Sequence, residues 1–123
     1  LEIHDGVLAV IDRAAPECMA VEGVFYRENP RTAVILAHAR GVALLAGAGR
    51  GLLVAEYPPA EIKKAVVGTG RATKDQVGWM VQKLLGLAEP PRPSDAADGC
   101  AAAICHILTG TGPLAARRAG MSR

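Results

Sequence analysis

Apolar and polar positions fall in blocks along this chain, and the period within each block shifts between helical and extended. From Leu1 to about Ala15, Ile3, Val7, Val10 and Ile11 recur at three- and four-residue spacings, which predicts an amphipathic helix ended by Pro16. Cys18 to Val24 is a short apolar run with β-branched valines, the pattern of a buried strand. Phe25 to Arg31 is polar, aromatic and basic and reads as a loop. A long helix is predicted from Thr32 to about Ala48, and its apolar residues (Val34, Ile35, Leu36, Val42, Leu44, Leu45) cover more than one face. Such a helix buries two sides, one of which suits a subunit interface.

Gly47, Gly49 and Gly51 mark a turn, after which Leu52 to Tyr57 reads as a second strand. Pro58-Pro59 opens a helix running to Val67, with Pro59 suited to its first turn. Gly68-Thr69-Gly70-Arg71 is a loop. Thr73-Lys74-Asp75-Gln76 then has the form of a capping box opening a helix with Val77, Met80, Val81, Leu84 and Leu85 inward. Glu89-Pro90-Pro91-Arg92-Pro93 is a stiff connector. Ser94 is expected to cap a last helix to about Leu108, with Ala97, Ala101, Ile104, Cys105 and Leu108 on one face. Strands alternating with helices indicate an α/β fold with parallel pairing. Two strands make a poor sheet by themselves, so residues 1–108 read as a partial domain and residues 109–123 as a disordered tail.

Composition sharpens this picture in a few places. A chain of 123 residues is one domain at most, and with one Phe, one Trp and two Tyr its core must be built from Ala, Val, Leu and Ile. A net charge of +2 carries no global signature of nucleic-acid binding, which leaves a local basic patch open. Cys18, Cys100 and Cys105 are odd in number and lack ligand spacing, as expected of reduced core thiols in a cytoplasmic protein. No apolar run approaches the ~18 residues of a membrane span and no signal peptide is recognisable. The sequence opens on Leu1 inside an apparent helix, which suggests an N-terminally truncated chain.

The candidate chemistry lies in carboxylates. Glu22 interrupts the apolar run Cys18–Val24, and burying it costs several kcal/mol unless it is paired or ligates a metal; the alternative is exposure at the strand's end. Asp95 and Asp98 stand at i and i+3 in the last helix, roughly 5–6 Å apart at Cβ. Taken alone they are acids favoured by the helix dipole. Met by Glu22, they have the composition of a Mg²⁺ or Mn²⁺ site, and two ions about 3.5–4 Å apart could act on a phosphodiester. The cations Arg27, Arg31, Arg40, Lys63, Lys64, Arg71 and Lys74 are solvated charges when read singly. Lys63 and Lys74 bracket the Gly68–Gly70 loop, a combination suited to a phosphate backbone. Phe25 is either an exposed base-stacking ring or a core anchor. His4, His38 and His106 show no ligand spacing and read as structural, with His38 able to line an interface.

Ala20-Val21-Glu22-Gly23-Val24-Phe25, Ala39-Arg40-Gly41-Val42-Ala43, Glu56-Tyr57-Pro58, Ile62 through Gly70 and Asp95-Ala96-Ala97-Asp98 occur in order. Together they resemble the RuvC-type Holliday-junction resolvases of the RNase H-like superfamily, from Leu1 to about His106. The resemblance implies an RNase H-like fold lacking here its N-terminal antiparallel strands. It also implies a homodimeric, Mg²⁺- or Mn²⁺-dependent endonuclease, with two ions per site, that nicks four-way DNA junctions symmetrically in recombination and repair in the bacterial cytoplasm, alongside a branch-migration helicase. By motif position it makes Glu22, Asp95 and Asp98 metal-binding catalytic carboxylates and Lys74 an active-site lysine. Phe25 becomes the base-stacking aromatic and Lys63 a backbone-binding lysine, with Arg31, Arg40, Lys64 and Arg71 as further DNA contacts. The helix Thr32–Ala48 becomes the dimer interface. The sequence departs from the family in having no Gly-Ile-Asp-Pro-Gly-like motif, which carries the first catalytic Asp, and in Gly99 where Ala is usual. Weak or absent activity of this chain is therefore expected. The alternatives are a non-catalytic dimeric junction binder and an RNase H-like nuclease acting on RNA.

Overall fold

The computed structural model describes residues 2–23 and 30–110, in the order α1 (Glu2–Ala14), β1 (Cys18–Glu22), α2 (Pro30–Gly49), β2 (Leu53–Tyr57), α3 (Pro59–Val67), α4 (Lys74–Leu85) and α5 (Ser94–Thr109). Phe25, Arg27 and the part of the expected tail from 111 to 123 lie outside the described residues. The two strands pair in parallel, as the alternation of strand and helix implies. Two compact units are formed, one by residues 1–19 with 23–55 and the other by residues 20–22 with 56–123.

In the first unit α1 packs on α2. α1 stops at Ala14, Ala15 adopts the left-handed conformation at φ 48°, and Pro16 follows. A bidentate ion pair joins the helices, Arg50 donating to both carboxylate oxygens of Asp12 at 2.9 and 3.0 Å. The guanidinium holds the Asp12 carboxyl below its usual range. That stabilisation is present above the ordinary Asp range and lost as pH falls through the lowered value. The apolar stripe of α1 is only partly buried. Ile11 is in the core, but Ile3 and Val10 are 51% and 52% exposed, and with Val7, Met19 and Leu52 they line an open apolar groove. α2 likewise buries Ala33, Ala46 and Gly47 and exposes Val34, Ile35, Leu36 and Leu45. Met19 lies against Gly47 so closely that a Cβ there would collide with its thioether. Contrary to the sequence expectation, Arg31–Gly49 is long and apolar enough to cross a membrane by length and composition. Arg40 near its middle opposes insertion, at roughly 2.5–3.5 kcal/mol on translocon scales.

The second unit packs α3, α4 and α5 against one another. Its core is Ile62 and Val66 from α3, Val77, Gly78 and Val81 from α4, and Ala97, Ala101, Ala102, Cys105 and His106 from α5. Burial raises the Cys105 thiol pKa, with the Thr109 hydrogen bond opposing it, so this cysteine is an inert core residue. α3 begins with Pro59 after the extended Pro58 and ends on Gly68, whose φ of 107° is open to glycine. The capping box of α4 is complete: the Gln76 N–H donates to Thr73 Oγ1 at 3.2 Å and the Thr73 N–H to Gln76 Oε1 at 2.8 Å. Ser94 does not cap α5; it is the first helical residue, and Pro93 takes the capping position with no side-chain bond. α4 also turns differently from expectation, burying Gly78 while Leu84 and Leu85 face solvent.

Val81 has no exposed surface. Val81→Ala should therefore cost about 2 kcal/mol and Thr73→Ala about 1 kcal/mol in urea unfolding, with m unchanged. Leu84→Ala should stay within about 0.5 kcal/mol. Equal losses at positions 81 and 84 would contradict the orientation of α4.

Candidate functional site

The second unit holds a pocket of about 170 Å³ lined by Glu22, Pro59, Ile62, Lys63, Lys74, Val77, Asp98 and Ala101. Each charged member arrives for a local reason. Glu22 is the last residue of β1, where the strand leaves its apolar register and a carboxylate can reach the rim. Lys63 follows buried Ile62 on α3 and lines the same pocket. Lys74 opens α4 directly after the Thr73 cap. Asp98 follows buried Ala97 on α5 and is half-buried.

The electrostatics follow from this grouping. Glu22 is exposed as a residue, yet the pocket desolvates its carboxyl enough to raise its pKa, and Asp98 adds like-charge repulsion. Lys63 and Lys74 pull in the other direction without cancelling the effect. Lys74 Nζ stands 3.5 Å from Asp98 Oδ2. The pocket is thus a pair of mutually repelling carboxylates bordered by two ammonium groups.

Of the residues singled out in the sequence, four meet here: Glu22, Asp98, Lys63 and Lys74. Asp95 does not. It is exposed and outside the lining, because three residues along a helix separate two side chains by about 4.5 Å and 60°. Lys64 belongs to another groove, with Glu61, Ala65, Leu108 and Thr109. Arg71 is exposed in the α3–α4 loop, its N–H donating to Thr69 Oγ1 at 3.2 Å. Arg31 and Arg40 lie on α2 in the first unit. Sequence reasoning placed Val77 on the inward face of its helix and Ala101 on one face of the last helix but did not connect them, or Ile62, with the site, where they form the apolar walls beside the carboxylates.

Among the described residues no group of three or more His, Cys, Asp or Glu side chains gathers into a metal cage. The donor set still fits a hard divalent cation. Two hard oxygen donors repel across a small pocket, and Mg²⁺ is commonly held by one or two carboxylates with waters and substrate phosphate completing its shell. Glu22 and Asp98 are the residues that would hold such an ion; a second one would need further ligands.

The paired strands and their helices are an RNase H-like α/β arrangement. The family model described as crossover junction endodeoxyribonuclease RuvC matches residues 1–106, and the chain belongs to that family. It is 56% identical over 104 residues to the RuvC of Moorella thermoacetica, covering 85% of this chain and 62% of that protein. It is 50% identical over 105 residues to the RuvC of Desulforamulus reducens, covering 85% and 64%. A solved structure of Thermus thermophilus RuvC superposes with a TM-score of 0.81 at 37% identity, covering 99% of this chain and 69% of that one. A second, of T. thermophilus RuvC in complex with a Holliday junction substrate, gives 0.81 at 41%, covering 85% and 64%. The chain thus spans less than two thirds of the length of the two relatives.

Glu22 binds its proton more tightly in the folded chain, so its share of stability is complete below the ordinary Glu range and is lost as pH rises through the raised value. In ¹³C-detected carboxyl titrations, Asp98→Asn should bring the Glu22 midpoint down, and Lys74→Met should move it further up. An unmoved midpoint in both variants would mean that the pocket's charges do not interact.

Proposed function

We propose that this pocket is the nuclease centre of a Holliday-junction resolvase acting on four-way DNA junctions during recombination and repair. The observation that carries the reading is the meeting of Glu22, Asp98, Lys63 and Lys74 in one small pocket, in a chain of the RuvC family. Glu22 and Asp98 would hold Mg²⁺ or Mn²⁺, and a bound ion would supply charge neutralisation and Lewis acidity at the scissile phosphate. Lys74, at 3.5 Å from Asp98 in the absence of substrate, is free to turn its donors to a non-bridging phosphate oxygen, where charge grows in the transition state. Lys63 anchors the adjacent backbone phosphate. The raised pKa of Glu22 reflects the neighbouring Asp98 and the desolvating walls, and a cation held between the two carboxylates would relieve that repulsion. Ile62, Val77 and Ala101 limit water and strengthen each of these interactions. Asp95 is assigned a metal-binding role by motif position, although its side chain lies outside the pocket lining.

The partners follow the same reading. A second copy would pack on the exposed apolar face of α2, within the Thr32–Ala48 segment expected from sequence, and a branch-migration helicase would deliver the junction in the bacterial cytoplasm. Arg31, Arg40, Lys64 and Arg71 would contact DNA away from the pocket, and Phe25 would stack on an unpaired base. No match to the family's Gly-Ile-Asp-Pro-Gly-like motif occurs in the 123 residues, so nicking by this sequence alone is proposed to be weak. The absence of a three-carboxylate cluster among the described residues favours, as the second reading, a dimeric binder that holds junctions without cutting them.

The test is a synthetic four-way junction with and without Mg²⁺ or Mn²⁺, using the chain alone and the chain preceded by a strand bearing the family's Asp motif. Paired nicks that need the ion are expected, strengthened by the added strand. Lys74→Met should slow them about 100-fold, and Glu22→Gln or Asp98→Asn should abolish them. Parent-like cutting by Glu22→Gln or Asp98→Asn would remove the site assignment. Binding without nicking in every form would favour the second reading.

A further inference from the structure

Whether Asp98 faces Glu22 depends on the register of α5, and α5 packs chiefly through Ala97, Ala101, Ala102 and Cys105. Small side chains let helices approach closely but interlock weakly, so they specify one register poorly. A slip of one residue moves a helix about 1.5 Å and turns it about 100°, enough to take Asp98 out of the pocket. Something directional has to set the register.

His106 is the one buried polar side chain of the core among the described residues, at 4% exposed. Its Nδ1 shares a 2.6 Å hydrogen bond with Tyr57 Oη, and the two rings lie 5.8 Å apart at a tilt of 57°. Tyr57 ends β2 and stands directly before Pro58 and α3, the helix that brings Lys63 to the pocket. Gly110 closes over the pair. Its N–H donates to the His106 carbonyl at 2.8 Å, and a Cβ at this position would overlap both Tyr57 Oη and His106 Nδ1. In a buried setting, a register that separated Tyr57 from His106 would take from His106 Nδ1 the hydrogen bond it makes here, a penalty that sliding alanines do not impose.

We propose that Tyr57 and His106 are positioning residues whose buried hydrogen bond fixes the register of α5 and so holds Asp98 opposite Glu22. Neither lines the pocket, and His106 lies about two turns along the helix from Asp98, so they act through α5 rather than on substrate. Only the activity arm of the test rests on the proposed nuclease function.

The variants are Tyr57→Phe and His106→Leu, which remove the bond, and His106→Asn, whose side chain keeps a polar atom near the place of Nδ1. In the apolar variants the Asp98 Cγ resonance and the backbone amides of Asp98 to Ala101 should shift while the melt stays cooperative. Junction nicking should lose at least about tenfold in kcat with KM unchanged, and His106→Asn should return both readouts most of the way. An Asp98 resonance unmoved in both apolar variants would overturn the proposal, as would a shift in His106→Asn as large as theirs. If the apolar variants lose their cooperative melt, His106→Asn decides: Asp98 at its parent resonance supports the register role and a displaced one refutes it. A parent chain that binds junctions and never nicks them would count against the nuclease reading alone, since the resonances still report the register.

Discussion

The site depends on how closely α5 approaches α3 and α4, and alanine sets that distance. Ala97, Ala101 and Ala102 present almost no side chain, so the backbone of α5 lies near Ile62, Val66, Val77 and Val81. Larger residues on that stripe would push α5 outward and carry Asp98 away from Glu22. The core gains little area per residue and relies on tight van der Waals contact, which small aliphatic side chains supply only when the helices are close.

Close approach has an electrostatic cost. Two carboxylates brought to the rim of one pocket repel, and partial desolvation by Ile62, Val77 and Ala101 makes the repulsion stronger than it would be in water. Lys63 and Lys74 offset part of this but leave the Glu22 pKa raised. A structure selected for stability alone would replace one of the acids. Retaining both, beside two cations, fits the proposed ligand, a cation-bound phosphate that carries positive and negative charge together.

Features that rest on neighbours in sequence could be read from it. The capping box at Thr73 and Gln76, the proline start of α3 and the misplaced charge of Glu22 each need only a few adjacent residues. What depended on partners was less accessible. The buried face of α4 includes Gly78, whose side-chain position looks toward Pro90 of the connector, while Leu84 and Leu85 stay in solvent. Asp95 shares a helix face with Asp98 by spacing, but the pocket is narrower than that face. Tyr57 and His106 are 49 residues apart, and no local period announces a hydrogen bond between them. Ser94 had the right residue type for a cap and lost the position to Pro93, because the connector enters the helix one residue earlier.

The two units bury their apolar residues to different degrees. The second has a core of its own, drawn from three helices. The first buries Ile11, Ala33 and Ala46 and leaves Ile3, Val10, Val34, Ile35, Leu36, Leu45 and Leu53 exposed. Four of these, Val34, Ile35, Leu36 and Leu45, lie on α2, and the proposed pairing of two copies through α2 would cover them. Under that pairing the stability of the first unit becomes linked to chain concentration, while the pocket of the second unit is assembled from the second unit's own residues.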